Sequence, residues 1–221
     1  MRQRFSLTQL ILFLFSLAFL LAFIQVGLLT IAFEKLGISA ETAFLILISS
    51  LIGSIINLPL FTIDSDVPIK PMPESVWRLL RLQHLVYEGK TTIAVNVGGC
   101  LIPIGFSLYL FVNEAINPLY ALAGVSMVAI VSYLSSRPIQ GLGIGMPILI
   151  APLSAALTAL LIDPQHSAPM AYISGTLGVL VGADILHMKD IRKMGTPLAS
   201  IGGAGTFDGI FITGIVAVLL A

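Results

Sequence analysis

Residues 200–221, SIGGAGTFDGIFITGIVAVLLA, decide how this chain is read. From Ile210 onward the run is apolar enough for lipid, yet Asp208 stands at its head among four glycines: Gly202, Gly203, Gly205 and Gly209. Each glycine disfavours a helix interior by about 1 kcal/mol. Backbone groups left unpaired in hydrocarbon cost several kcal/mol each. The stretch therefore predicts an extended or re-entrant approach, its amides lining a polar pocket, followed by a membrane helix.

The whole chain carries the same signature. It has 221 residues, 57% hydrophobic and 10% charged, with a mean hydropathy of +1.03. That is more apolar surface than a soluble domain of this size buries, so the bilayer is the expected partner and the cell membrane the expected location. Lys+Arg and Asp+Glu are both 11, which leaves no basic surface for nucleic acid. Cys100 is the one cysteine, so neither an internal disulfide nor a thiolate metal cluster can form, and packing is its expected role. The N-terminal segment has a basic start but an apolar run longer than a signal-peptide core, and reads as a retained helix. One transmembrane domain over 1–221 follows.

About 20 apolar residues span a bilayer core. The chain offers seven such segments, at roughly 7–33, 42–61, 92–112, 118–135, 139–162, 168–188 and 202–221. The expected fold is thus an all-α polytopic transmembrane bundle. With the N-terminus inside, Arg2, Arg4, Lys70, Arg78, Arg81, Lys90, Arg137, Lys189, Arg192 and Lys193 fall on the inner side, and only Lys35 falls outside. Cationic loops stay cytoplasmic, so the chain is oriented N-terminus in and C-terminus out. The inner connection 62–91 contains VWRLLRLQHLVYEGK, whose Arg78, Arg81, His84 and Glu88 share one side of a helical wheel; it predicts an interfacial amphipathic helix. Asp64, Asp66 and His84 are read as solvated, and neither a metal nor a cofactor is expected.

Several spans contain polar or small residues with consequences for packing. Gly141, Gly143, Gly145, Pro147 and Pro152 break the fifth, which must face neighbours or a water-filled cavity. Ser174, Gly178 and Gly182 form a small-residue stripe on the sixth that admits a close neighbour. Asn57 and Asn96 are intramembrane amides suited to interhelical bonding or to a polar pocket.

Asp184 lies five residues before Lys189, hence about 7 Å above the inner boundary, and Asp208 reaches a similar depth of about 9 Å from the opposite direction. A short loop, 190–201, joins their helices. The two carboxyls are expected to face each other in a pocket formed with Asn96, Gly182, Gly203, Gly205 and Gly209. His187, three residues after Asp184, is expected at the interface as a solvated helix cap or as a partner of Asp184. Two adjacent carboxyls in a poorly hydrated site share one proton. That arrangement serves aspartic-protease chemistry, a proton relay or a cation site.

The runs NVGGCLIPIGF, GTLGVLVGADIL and SIGGAGTFDGIFITGIVAVLLA resemble an uncharacterised family of prokaryotic integral membrane proteins, the domain of unknown function 1614. That resemblance implies a membrane fold and no particular activity. VGAD at 181–184 and FD at 207–208 also resemble, more distantly, the motifs of intramembrane aspartyl proteases of the presenilin and prepilin-peptidase type. Here the glycine directly before Asp184 is replaced by Ala183, and the order of the two motifs is reversed. Three functions follow as expectations: an intramembrane hydrolase using Asp184 and Asp208 on a lipid-embedded peptide; a proton- or cation-coupled transporter or channel; and a non-catalytic membrane protein whose aspartates fix helix packing.

Overall fold

A computed structural model describes residues 27–66, 89–139, 143–203 and 209–221. Helix α1 (Gly27–Lys35) meets α2 (Ala40–Gly53) at a bend of 112°, with Gly37 at φ 68° in the turn. Ser39 caps α2, its side chain accepting from the Thr42 amide. Strand β1 (Asn57–Asp64) follows, then β2 (Lys90–Asn96). A π turn, Val97–Leu101, leads into α3 (Ile102–Asn113) and then α4 (Pro118–Ser135). Two short strands, β3 (Arg137–Ile139) and β4 (Gly143–Gly145), precede α5 (Ile150–Ile162). Helix α6 (Ser167–Val179) runs on into a second π segment, Leu180–Ile185, and a 3-10 turn, Met188–Lys193. Strand β5 (Leu198–Ile201) and α7 (Gly209–Leu220) end the chain.

The protein is mostly helical, but the all-α expectation is corrected by these strands. Apolar content alone does not separate a membrane helix from a strand, and at 57–64 and 90–96 other features prevail. Pro59 removes a backbone donor and obstructs a helix, while Thr91, Thr92, Ile93 and Val95 are β-branched and favour a pleated backbone. The expected spans at 42–61 and 92–112 therefore give up one end each to an antiparallel pair, registered from Asn57 opposite Asn96 to Asp64 opposite Lys90. β5 adds to β2 in parallel, so the sheet order is β1-β2-β5. The fifth span likewise yields residues 137–145 to the β3–β4 hairpin. Most of the expected interfacial helix lies outside the described residues, and its margins at 62–64 and 90–91 are strand.

Among the described residues, Pro118–Ser135 and the continuous helix Pro164–Ile185 are long and apolar enough to cross a membrane. The bent α1–α2 pair gives up to one more, and Val97–Asn113 and Ile150–Ile162 are shorter apolar helices. Outward-facing Leu161, Leu119 and Val112 are 83%, 73% and 72% exposed, which suits a lipid-facing surface.

Helix α6 is the axis of the bundle: eleven of its thirteen residues are buried, and α3, α4, α5 and α7 pack around it. The Ser174, Gly178 and Gly182 stripe faces α4, where side chains on the two later positions would meet Val128 and the Ala129 carbonyl. Tyr172 is fully buried with its ring edge-on to Phe106, centroids 4.8 Å apart. At one end of this axis Lys35 Nζ donates to the Val218 and Leu219 carbonyls, 3.3 Å each, closing the end of α7. At the other, the Asp66 amide and Ser65 hydroxyl donate to the Arg192 carbonyl, drawing the β1 end onto the 3-10 turn.

Candidate functional site

Asp184 sits in the π segment after α6, where the Leu186 amide reaches back five residues to the Val181 carbonyl at 2.9 Å. The half-buried carboxylate accepts from the backbone amide of Gly202, Oδ2 to N 2.8 Å. Gly202 follows directly on β5 with φ 83°, and Gly203 has φ 90°, a region that side chains rarely adopt. As far as Gly203 the glycine-rich run is thus extended and then turned, and Asp184 holds the turn.

A second polar centre abuts the first. Asn96, 1% exposed, ends β2 and caps the following π turn, its Oδ1 accepting from the Gly99 amide at 2.7 Å. Its Nδ2 donates to the Ser54 carbonyl at 2.7 Å and to Asn57 Oδ1 at 3.0 Å. The Ser200 hydroxyl donates to the same Asn57 oxygen at 2.5 Å. Asn96 therefore joins the end of α2, the start of β1 and the π turn, and through Asn57 it reaches β5. Around it the backbones nearly touch. Ser50 Oγ donates to the Gly98 carbonyl at 2.6 Å, and a Cβ on Gly99 would collide with the Gly202 carbonyl oxygen. Gly202 thus contacts Gly99 through its oxygen and Asp184 through its nitrogen, which links Asn96 to Asp184 within one continuous polar seam.

Replacing Asn96 by Ala strands the Gly99 amide and the Ser54 carbonyl at once and leaves the Asn57 oxygen with Ser200 alone. Each buried group left unsatisfied costs roughly 1–3 kcal/mol. Thermal unfolding in detergent should show Asn96→Ala destabilised by several-fold more than Asn117→Ala, whose single capping bond to Leu119 is exposed.

The other expected site residues fall as follows. Gly182 packs on α4 beside Asp184. Gly203 donates to the Ser200 carbonyl at 3.2 Å. Gly209 begins α7. Gly205 and Asp208 lie outside the described residues. His187 is not the solvated cap expected: it is 6% exposed and packed against Tyr133, the rings tilted by 37° with centroids 4.6 Å apart. Its Nδ1 lies 3.2 Å from the Gly182 carbonyl and 3.4 Å from Ser136 Oγ. A carbonyl only accepts, so Nδ1 carries the proton. His187 thereby ties the π segment to the end of α4.

Farther along the same turn, Asp190 bonds Lys193 at 2.8 Å, which holds its carboxyl below the ordinary range despite slight opposing desolvation. Such a depressed carboxyl adds stability above its unfolded pKa, lost as pH falls through the folded value; its exposure keeps the contribution small. Among the described residues, no group of three or more His, Cys, Asp or Glu could hold a metal ion.

A family model described as "Protein of unknown function (DUF1614)" matches residues 51–220. The chain belongs to that family. Comparison with curated proteins and with solved structures finds no match. The family match encloses the seam from Ser54, Asn57 and Asn96 to Asp184, Ser200 and Gly202, and leaves α1 and most of α2, with Ser50, outside it. Asn96 and Asp184 are the seam residues that the sequence assigned to the site by position; Ser50, Ser54, Asn57, Gly99, Ser200 and Gly202 were not among the expected site residues. Asn57 was legible only as an intramembrane amide, and nothing marked Ser200, which lies 143 positions away from it.

Proposed function

We propose that this member of the family is a multi-pass protein of the cell membrane, with about seven spans, N-terminus inside, C-terminus outside, and an interfacial helix within 62–91. Its proposed activity is intramembrane hydrolysis, with Asp184 and Asp208 as the acid pair and a membrane-embedded peptide as substrate. The observation that carries this reading is the 2.8 Å bond from the Gly202 amide to Asp184. Through it, one acid grips the glycine-rich turn six residues ahead of the other.

Two physical arguments support hydrolysis. Open sheet edges do not occur in contact with hydrocarbon, so the end of the bundle that carries β1, β2 and β5 belongs at a level that protein or water covers. Asp184 is bonded at the end of β5, and water is a reactant. In the reaction, one carboxylate takes a proton from water as its oxygen attacks the scissile carbonyl, while the protonated partner donates to the carbonyl oxygen. The tetrahedral intermediate then collapses, the C–N bond breaks, and the amine leaves with a proton from the pair.

The test uses purified protein in proteoliposomes with a quenched-fluorescent transmembrane peptide whose helix is broken by Gly-Gly near its cytoplasmic end. Cleavage should fall to background in Asp184→Asn and in Asp208→Asn. Retained cleavage in either rejects the acid pair. A second reading, proton- or cation-coupled transport, draws on Ser107 and Ser132, fully buried hydroxyls with no hydrogen-bond partner among the described residues. Such groups suit a hydrated path through the bundle. Under it the same liposomes show pH-dependent flux and no cleavage.

A further inference from the structure

The polarity of the seam is determined by its hydrogen bonds. The Gly99 amide can only donate, so the atom of Asn96 that it meets is the oxygen; the opposite atom, Nδ2, then faces the Ser54 carbonyl and Asn57. Asn57 must in turn present its oxygen to Asn96, and the Ser200 hydroxyl donates to that same oxygen. Both donated bonds thus fall on one side of the planar Asn57 amide. Its Nδ2, with two N–H donors, is turned away from the clasp and donates to no group among the described residues. Asn57 is only half-buried, so these donors can be reached.

The position of this amide gives it a use. Asn57 is held by Ser200, and Asp184 holds Gly202, two residues on in the turn that the Gly203 amide closes on the Ser200 carbonyl, so both anchors sit on one turn. From this juxtaposition we infer that Asn57 Nδ2 is a substrate-binding group that donates to a carbonyl oxygen of an extended peptide lying beside Asp184. This inference rests on the hydrolase reading and names the contact through which that site takes a peptide backbone. The amide is preorganised: its rotation is blocked by two bonds to Oδ1, so no ordering is needed when the acceptor arrives.

The test uses the proteoliposome assay with the Gly-Gly transmembrane peptide, together with side-chain amide NMR of the full protein labelled at asparagine nitrogen. Asn57→Asp keeps the shape and the acceptor for Asn96 and Ser200 but removes both donors. It should leave the thermal midpoint within a few degrees and lower kcat/KM about 10-fold, the usual effect of deleting one neutral hydrogen bond. In the unmutated protein, a non-cleavable analogue of the same peptide, with a secondary alcohol at the scissile position, should shift the Asn57 Nδ2 proton resonances downfield. Should Asn57→Asp lower the thermal midpoint, those resonances decide. Undiminished cleavage by a folded Asn57→Asp protein, or unmoved Asn57 resonances under a bound analogue, overturns the role of Asn57 while leaving the acid pair standing. Absence of cleavage by the unmutated protein overturns the hydrolase reading and this inference with it.

Discussion

Gly202→Ala should be among the most destabilising single substitutions in the molecule, by about 2–5 kcal/mol in thermal or denaturant unfolding in detergent. Two costs combine. At φ 83° a Cβ crowds its own backbone, a strain of roughly 1–2 kcal/mol. The same Cβ would stand 2.6 Å from the Gly99 carbonyl carbon and 2.7 Å from the Cys100 amide nitrogen, and forced overpacking typically costs about 1–3 kcal/mol. Both neighbours are backbone, so neither yields by changing rotamer. The contrast is Gly105→Ala in α3, where no atom lies within 4 Å of the added methyl. There a glycine in a helix is simply replaced by a better helix former, with an expected gain of at most about 1 kcal/mol. A Gly202→Ala protein as stable as the unmutated one would remove the close crossing of the π turn and the β5 turn.

This crossing also shows what a single sequence can and cannot convey. The density of glycines announced a departure from helix, seen at Gly202 and Gly203, because glycine cost and backbone satisfaction are local matters. The stripe of Ser174, Gly178 and Gly182 was equally legible, since a four-residue spacing states its own geometry, and α4 fills it. The strands were not. Hydropathy treats INLPLF as one more stretch of lipid-compatible chain, and the decisive signals, Pro59 and the β-branched run from Thr91 to Val95, were outweighed by it. The pairing of Asn57 with Asn96 and of Asn57 with Ser200 joins positions 39 and 143 residues apart. No periodicity carries such a relation. His187 misled for a related reason: three residues from a membrane aspartate and two from a lysine, it looks interfacial. Its burial depends on Tyr133 and Ser136 of the neighbouring helix, which only the fold brings to it.

Substitutions at Asp184 should separate chemistry from architecture. In Asp184→Ala the buried Gly202 amide loses its acceptor, and an unsatisfied buried donor costs roughly 1–3 kcal/mol. In Asp184→Asn the side-chain oxygen still accepts from Gly202, though as a neutral partner, so the loss should stay below about 1 kcal/mol. Acid chemistry responds differently, because an amide neither takes nor gives a proton at neutral pH. Both variants should therefore lose cleavage, by roughly 100- to 10,000-fold. Thermal unfolding and peptide cleavage on the same two samples give the result: a graded fall in stability, Ala below Asn, beside an equal collapse in rate. If Asp184→Asn instead cleaves as the unmutated protein does while Asp184→Ala is merely less stable, the carboxylate is a clasp for the glycine turn and no more. Equal stability in both would mean that the Gly202 bond does not hold the turn, and the geometric link between Asp184 and the segment bearing Asp208 would be lost.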